Sequence, residues 1–344
     1  MRIALVNDTT MALEALRRVL ATEPRHSVAW SARDGEEAVR RTALDRPDLI
    51  LMDLLMPGIN GVEATRRIMA ATPCPILVVT ASVGARAGLV YEALGVGALD
   101  AIRTPSLLEP AASAGRDLLR RIRQLERLTQ PAQNRPSANA RAGAAVGRNP
   151  GSVPAAPPLI AIGASTGGPA ALASCLGQLP ADLGAAVLVV QHIEAQFAPG
   201  LARWLGGQIS LPVETVREGD PLRPNVVQIA ATNDHLIVRA DGRLGYSPDP
   251  PLEPYRPSVN VLFRSLLQPW SQPGVAVLLT GMGRDGGQAM LELRRAGWHT
   301  IAQAEASCAV YGMPKAAVDL GAAVEVLPPE AIGLRLRRLM PGHR

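Results

Sequence analysis

Leu159-Ile160-Ala161-Ile162-Gly163-Ala164-Ser165-Thr166-Gly167-Gly168-Pro169 reads as a short apolar strand that enters a small-residue turn ahead of a helix. Strand followed by helix is the repeating unit of α/β domains. The spacing Gly163-x-Ser165-x-Gly167 is that of a nucleophile elbow: glycines permit a tight backbone and leave the serine oxygen exposed. A helix after the turn aims free N–H groups and its positive end at a developing oxyanion. The same turn also suits a phosphate cradle or a plain strand-to-helix corner.

Outward from this stretch the pattern continues. Strands are expected at Ala186–Gln191, Val213–Val216, Val226–Ala230, Leu236–Arg239, Val275–Thr280 and Thr300–Gln303. Helices fit Ala170–Leu176, Phe197–Leu205, Val259–Leu267, Gly287–Ala296 and Pro314–Leu320. Asn233-Asp234 between two of these strands is a hairpin signal, so an antiparallel pair is expected beside a mainly parallel sheet. Upstream, residues 129–158 are mostly Pro, Ala, Gly, Asn, Ser and Arg. Such a segment buries too little surface to offset its ordering entropy and reads as a flexible linker. Before it, strands at Arg2–Val6, Ser27–Ala32, Leu49–Met52, Ile76–Thr80 and Leu99–Ile102 alternate with helices, which predicts a parallel sheet covered on both faces. The expected organisation is therefore two doubly wound α/β domains, 1–128 and 159–344, joined by 129–158.

At 344 residues the chain has room for two cores. Charged residues make up 19% and the net charge is +5, without a basic cluster interleaved with aromatics, so nucleic acid is not an expected partner. Runs such as Arg120-Arg121-Ile122-Arg123 read as solvated helix faces. Cys74, Cys175 and Cys308 are scattered and form no C-x-x-C pair, which points to reduced thiols rather than a zinc site. Met1–Val6 runs straight into a polar turn, and no apolar stretch reaches 18 residues. The expectation is a cytoplasmic protein with no membrane insertion.

In the first domain Asp8 follows one strand and Asp53 closes another. Adjacent strands of a doubly wound sheet end at one crevice, so the two carboxylates should lie close together and suit Mg²⁺. Thr80 ends a third strand and could hydrogen-bond a phosphoryl group on Asp53. Each aspartate could instead cap the helix after it. The order Asp8, Asp53-Leu54-Leu55-Met56-Pro57, Thr80-Ala81 and Gly97-Ala98-Leu99-Asp100 resembles the receiver domain of two-component response regulators, over about residues 1–120. The resemblance implies a flavodoxin-like five-stranded fold and phosphorylation of Asp53. It further implies Mg²⁺ on Asp8, Asp53 and the Leu55 carbonyl, with Thr80 as the switch hydroxyl. Two positions depart: Asn7 stands where a first acidic ligand is usual, and Thr104 where a lysine is usual. Arg103 is the one substitute cation nearby, and a guanidinium is no point charge.

In the second domain a serine needs a base, usually histidine, held by a third group. Of five histidines, His192 ends a strand at the same sheet edge as Ser165, whereas His235 and His299 read as structural. Asp285 follows strand Val275–Thr280 in the turn Thr280-Gly281-Met282-Gly283-Arg284-Asp285-Gly286, and capping of its own helix is the plainer alternative. Ser165 would attack, His192 would take the proton and Asp285 would fix the tautomer. The Met282 N–H is a candidate oxyanion donor, with Thr166 in the site turn. The order Ser…His…Asp, with Gly163–Pro169, Gln191-His192, Arg256–Phe263, Thr280–Gly286 and Gly312-Met313-Pro314, resembles CheB-type protein-glutamate methylesterases over about residues 158–340.

That resemblance implies a cytoplasmic response regulator that hydrolyses glutamate γ-methyl esters on chemoreceptors, releasing methanol, and that deamidates receptor glutamines. It implies no cofactor for the esterase, a CheA-type histidine kinase as phosphodonor, and a peripheral encounter with the membrane-bound receptor. Asn260 and Ala304 stand where aspartate is usual in the family. The receiver end Gly97–Pro105, with Val6-Asn7-Asp8, resembles the Wsp branch, whose pathway controls a diguanylate cyclase. Two competing readings are a nucleotide-binding loop, which lacks Gly-Lys-[Ser/Thr], and a non-enzymatic regulator.

Overall fold

The computed structural model describes residues 1–80, 87–106, 115–129, 157–251, 253–267 and 274–340. In the first domain β1 (Arg2–Val6), β2 (Ser27–Ala32), β3 (Leu49–Met52), β4 (Ile76–Thr80) and β5 (Asp100–Arg103) form one parallel sheet, ordered β2-β1-β3-β4-β5. β3 and β4 are buried along their whole length because helices cover both faces. Asp34 and Asn60 open the helices Gly35–Leu44 and Gly61–Ala71 by accepting the Glu37 and Glu63 N–H groups, caps worth about 1 kcal/mol each. Strand order reverses between β1 and β3, so the ends of those strands border the crevice where ligands bind in such sheets.

The second sheet has seven parallel strands. They are β6 (Leu159–Ala164), β7 (Ala186–Gln191), β8 (Val213–Thr215), β9 (Val227–Ile229), β12 (Val275–Leu278), β13 (His299–Gln303) and β14 (Glu325–Leu327), ordered β14-β13-β12-β6-β7-β9-β8. The antiparallel pair is β10 (His235–Val238) with β11 (Leu244–Ser247). It turns at Asp241-Gly242, not at Asn233-Asp234 as the dipeptide signal suggested. Asn233 spends its side chain on the Ala195 N–H and Asp234 pairs with Arg256, so that turn carries the chain from the sheet to the hairpin instead. β11 and β14 had no forecast, because three- and four-residue strands carry too little periodicity to be seen, and of the helix Pro329–Leu339 only the basic run Arg335-Leu336-Arg337-Arg338 reads as a helix face in the sequence.

The two domains share buried surface. One apolar cluster runs from Ile50, Met52 and Val78 of the receiver through Tyr91 and Leu94 to Phe197 and Leu201. Another joins Ile102, Leu118 and Ile122 to Met282 and Val310. The buried Tyr91 hydroxyl donates to the Phe197 carbonyl (2.7 Å), and its ring packs on Trp204 with centroids 5.9 Å apart. The Leu99 carbonyl accepts the Gly167 N–H (3.1 Å). Of the linker expected over 129–158, residues 130–156 lie outside the described residues.

Candidate active site

Three adjacent strands, β12, β6 and β7, deliver the polar groups of the second domain to one edge. β6 runs into Ser165, whose N–H donates to the Thr280 carbonyl beyond β12. β7 runs into His192, whose N–H donates to the Ala164 carbonyl. Gln191 ties the two ends by donating Nε2 to the Ser165 carbonyl (2.8 Å). Gly167 has φ +76°, and a Cβ there would stand 2.4 Å from the Ala309 Cβ, so the turn needs glycine on both counts.

Asp285 lies opposite. His192 Nε2 is 2.8 Å from its Oδ2, which also accepts the Val259 N–H (2.7 Å). Oδ1 accepts the Ser258 hydroxyl and the Asn260 and Gly286 N–H groups (2.9–3.0 Å). Asp285 is thus spent on the imidazole and on the start of the helix Val259–Ser265, and not on its own helix, whose N-cap is Gly286 without a side-chain bond. Burial pushes the Asp285 carboxyl up, but the His192 hydrogen bond and charge, with the Asn260 and Val259 amides, outweigh burial and hold it below its ordinary value. An ionised carboxylate only accepts, so Nε2 carries the imidazole proton. Nδ1 is then the free base, buried and without a partner.

Ser165, His192 and Asp285 are 2%, 6% and 4% exposed, and the receiver's Leu99 carbonyl reaches the Gly167 N–H of the same turn. Ser165 Oγ makes no hydrogen bond to His192 among the described residues. Catalytic hydrogen bonds are often formed only in the substrate complex. Neither the Thr166 nor the Met282 N–H donates to a protein acceptor among the described residues. The Thr166 hydroxyl is buried and unpartnered. Two residues to which the sequence assigned no catalytic part support the site: Ser258, within the motif Arg256–Phe263, bonds Asp285, and the buried His235, read as structural, accepts the Ser258 N–H on Nδ1 (3.0 Å). Ser258 is also the N-cap of the helix Val259–Ser265, accepting the Val261 N–H. Asn260 uses Oδ1 to accept the Ala289 N–H, which gives it a structural task, and the Ala304 N–H donates to the Leu327 carbonyl at the sheet edge.

In the receiver, Asp53 follows β3 and Asp8 follows β1, on adjacent strand ends, with the buried Thr80 closing β4. Burial chiefly raises the Asp53 carboxyl from 3.8 to about 6, opposed by the Leu54 and Leu55 amides and reinforced by the Asp8 charge. Asn7 donates Nδ2 to Asp53 Oδ2 (2.9 Å) and accepts from Thr9 on Oδ1, so it does not offer an oxygen to the crevice. Asp8 caps nothing: Thr9 is the N-cap and makes no side-chain bond. The Asp53 and Asp8 carboxylates, next to the half-buried Leu55, form a hard-oxygen donor set that fits Mg²⁺. Among the described residues no three His, Cys, Asp or Glu side chains gather as a metal cluster. The Thr104 hydroxyl, where a lysine is usual, is buried and unpartnered.

Residues 160–336 match the CheB methylesterase family and residues 3–109 the response regulator receiver domain. The chain belongs to the CheB methylesterase family. Along its full length it is 51% identical to a protein-glutamate methylesterase/protein-glutamine glutaminase of Cupriavidus metallidurans, covering 100% of both chains. Against one of the same name from Pseudomonas aeruginosa the identity is 48%, covering 98% of each. The crystal structure of the Thermotoga maritima CheB methylesterase catalytic domain overlays with a TM-score of 0.51 at 32% identity, covering 53% of this chain and 98% of that one. The family's two-domain order, receiver then esterase, is the order of the two sheets described above. Among the described residues no helix of this CheB-family chain is long and apolar enough to cross a membrane.

Proposed function

We propose that the chain hydrolyses γ-methyl esters of glutamate on the cytoplasmic helices of methylated chemoreceptors, and deamidates receptor glutamines, for adaptation of a chemosensory pathway. The observation that carries this reading is the His192–Asp285 pair at the strand ends beside Ser165. Ser165 Oγ adds to the ester carbonyl as His192 Nδ1 takes its proton, and Asp285 holds the imidazolium through Nε2. The Thr166 and Met282 amides donate to the oxyanion, each such donor being worth about 3–4 kcal/mol. Collapse expels methoxide, which leaves as methanol with the proton from His192. Water, activated by the same imidazole, then cleaves the acyl-serine to give glutamate. An amide substrate releases ammonia by the same steps.

In this reading the receiver regulates access. The Leu99 carbonyl occupies an amide of the elbow turn, and Tyr91 grips the segment after His192. Asp53 takes a phosphoryl group from a CheA-type kinase; Asp8, Asp53 and the Leu55 carbonyl would hold Mg²⁺, which would neutralise phosphoryl charge when bound. Thr80 reads the phosphorylated state. Moving the receiver from about 1:99 to 99:1 open takes roughly 5.5 kcal/mol of differential stabilisation. The proposed units are a receiver over 1–128, a linker over 129–158 and the esterase over 159–344, acting in the cytoplasm.

Methanol release from membranes carrying a methylated receptor, with a phosphodonor present, tests the reading. Release by the native chain that vanishes in Ser165→Ala is the expected result. Equal release from both would remove the serine from the mechanism, and no release from either would remove the substrate.

A further inference from the structure

Tyr255 precedes the motif Arg256–Phe263 and belongs to none of the stretches that carry the family resemblance. Its ring lies flat on the His192 imidazole, with centroids 4.5 Å apart and planes 7° from parallel. The imidazole needs such a neighbour. Its ring makes one hydrogen bond, Nε2 to Asp285, and none through Nδ1. A single bond leaves the ring able to rock about the line from Nε2 to Oδ2. A flat surface against its face fixes the plane.

Tyr255 is itself held at both ends. Its hydroxyl reaches the Met282 carbonyl (3.5 Å) and fills the space beside Gly283, where a Cβ would stand 2.2 Å from the oxygen. Gly283 has φ +84°, so glycine is required there twice over. At the other end, Arg256 donates to the Asn233 carbonyl (3.0 Å) and pairs with Asp234 (2.8 Å), and Ser258 donates to His235. These three bonds tie residues 256–258 to the turn before β10. The phenol therefore spans from the base to the turn that carries the Met282 amide.

We propose that Tyr255 is a positioning residue for the reaction: its ring holds the His192 imidazole in the plane that keeps Nε2 on Asp285 and Nδ1 toward Ser165. The inference rests on the serine-esterase reading above. The stack also strengthens as the reaction proceeds, because a protonated imidazole is attracted to an aromatic face more than a neutral one. An interaction stronger in the transition state than in the ground state acts on kcat rather than on KM.

The test is methanol release by the full chain, with a phosphodonor, comparing the native protein with Tyr255→Leu and Tyr255→Phe. Tyr255→Leu should lower kcat about tenfold while KM stays within about twofold. Tyr255→Phe, which keeps the ring, should restore kcat to within about threefold of the native value. In parallel, NMR of the His192 ring protons should show upfield ring-current shifts in the native and Phe proteins that are lost with Leu. If Tyr255→Leu does not fold, Tyr255→Met, flexible but not flat, takes its place in both measurements. An unchanged kcat in the Leu variant, a loss carried by KM, a Phe variant as impaired as Leu, or unmoved ring protons would each overturn the proposal. Were native and Ser165→Ala proteins to release methanol equally, the esterase reading would fail. The NMR comparison would still decide whether Tyr255 orients His192.

Discussion

The receiver and esterase crevices are built alike, at the ends of parallel strands, around one partly or fully buried aspartate each. Their carboxyls are driven in opposite directions. Asp53 is pushed up to about 6, because burial outweighs the donors it receives and Asp8 adds a like charge. Asp285 is held down, because His192, Ser258 and three backbone amides saturate it. The difference teaches what each crevice lacks. The esterase crevice sets an imidazole, a hydroxyl and three amides of its own against the carboxylate. The receiver crevice sets no cationic side chain against Asp53 among the described residues, which suits the cation and phosphoryl group proposed above.

The contrast breaks most visibly if Asp285 is neutralised. Asp285→Asn should lower kcat for methanol release by about 10⁴-fold, because an amide no longer fixes the imidazole tautomer. A loss under tenfold would mean that the carboxylate serves only the helix start at Val259 and Asn260.

The receiver should respond with the opposite sign. Between about pH 4 and pH 6 the folded chain holds a proton on Asp53 that the unfolded chain has lost, so stability falls as pH rises through that window. Asp53→Asn removes this fall and should stabilise the protein near neutral pH by up to about 3 kcal/mol. The gain should disappear below about pH 4. Urea unfolding at the two ends of the window measures it, and an equal gain at both would contradict the charge argument. By the same sign, labelling from a small phosphodonor should rise with pH through about 6, since the carboxylate is the attacking form.

The join between the domains gives a smaller effect. Tyr91→Phe removes the hydroxyl that bonds the Phe197 carbonyl and should weaken docking by about 1 kcal/mol. Methanol release without phosphodonor should then rise several-fold, by roughly the same free energy. A fall in that basal rate would show that receiver contact supports the esterase rather than covering it. Smallest of all, Asn260→Ala should cost about 1 kcal/mol in thermal unfolding with kcat nearly unchanged, because its side chain accepts the Ala289 N–H. A large loss of kcat would return Asn260 to the substrate.

Much of this was legible in the chain. The apolar runs Leu49–Met52 and Leu159–Ala164 fixed buried parallel strands, and the motif spacing picked out Ser165, His192 and Asp285. Asp8 and Asp53 likewise fell on adjacent strand ends, as alternating strand and helix requires. The hairpin was misplaced because Asn-Asp is a turn signal wherever the chain bends, and only pairing tells which strands a bend joins. Asn260 looked like a lost substrate contact until its bond to Ala289 gave it a helix to cap. Tyr255 left one faint signal: with only four tyrosines and two phenylalanines in 344 residues, each aromatic ring merits a reason.

By itself, then, the sequence determined the two α/β sheets, their order and the polar residues at their strand ends, because period, turn chemistry and motif spacing are local properties. The tertiary structure decided which nitrogen of His192 meets Asp285, that Ser258 and His235 support it, that Tyr255 lies on its face, and that Leu99 and Tyr91 bring the receiver over the crevice. These are contacts between residues 23 to more than 100 positions apart, and they follow from how packed elements meet rather than from any stretch of chain read alone.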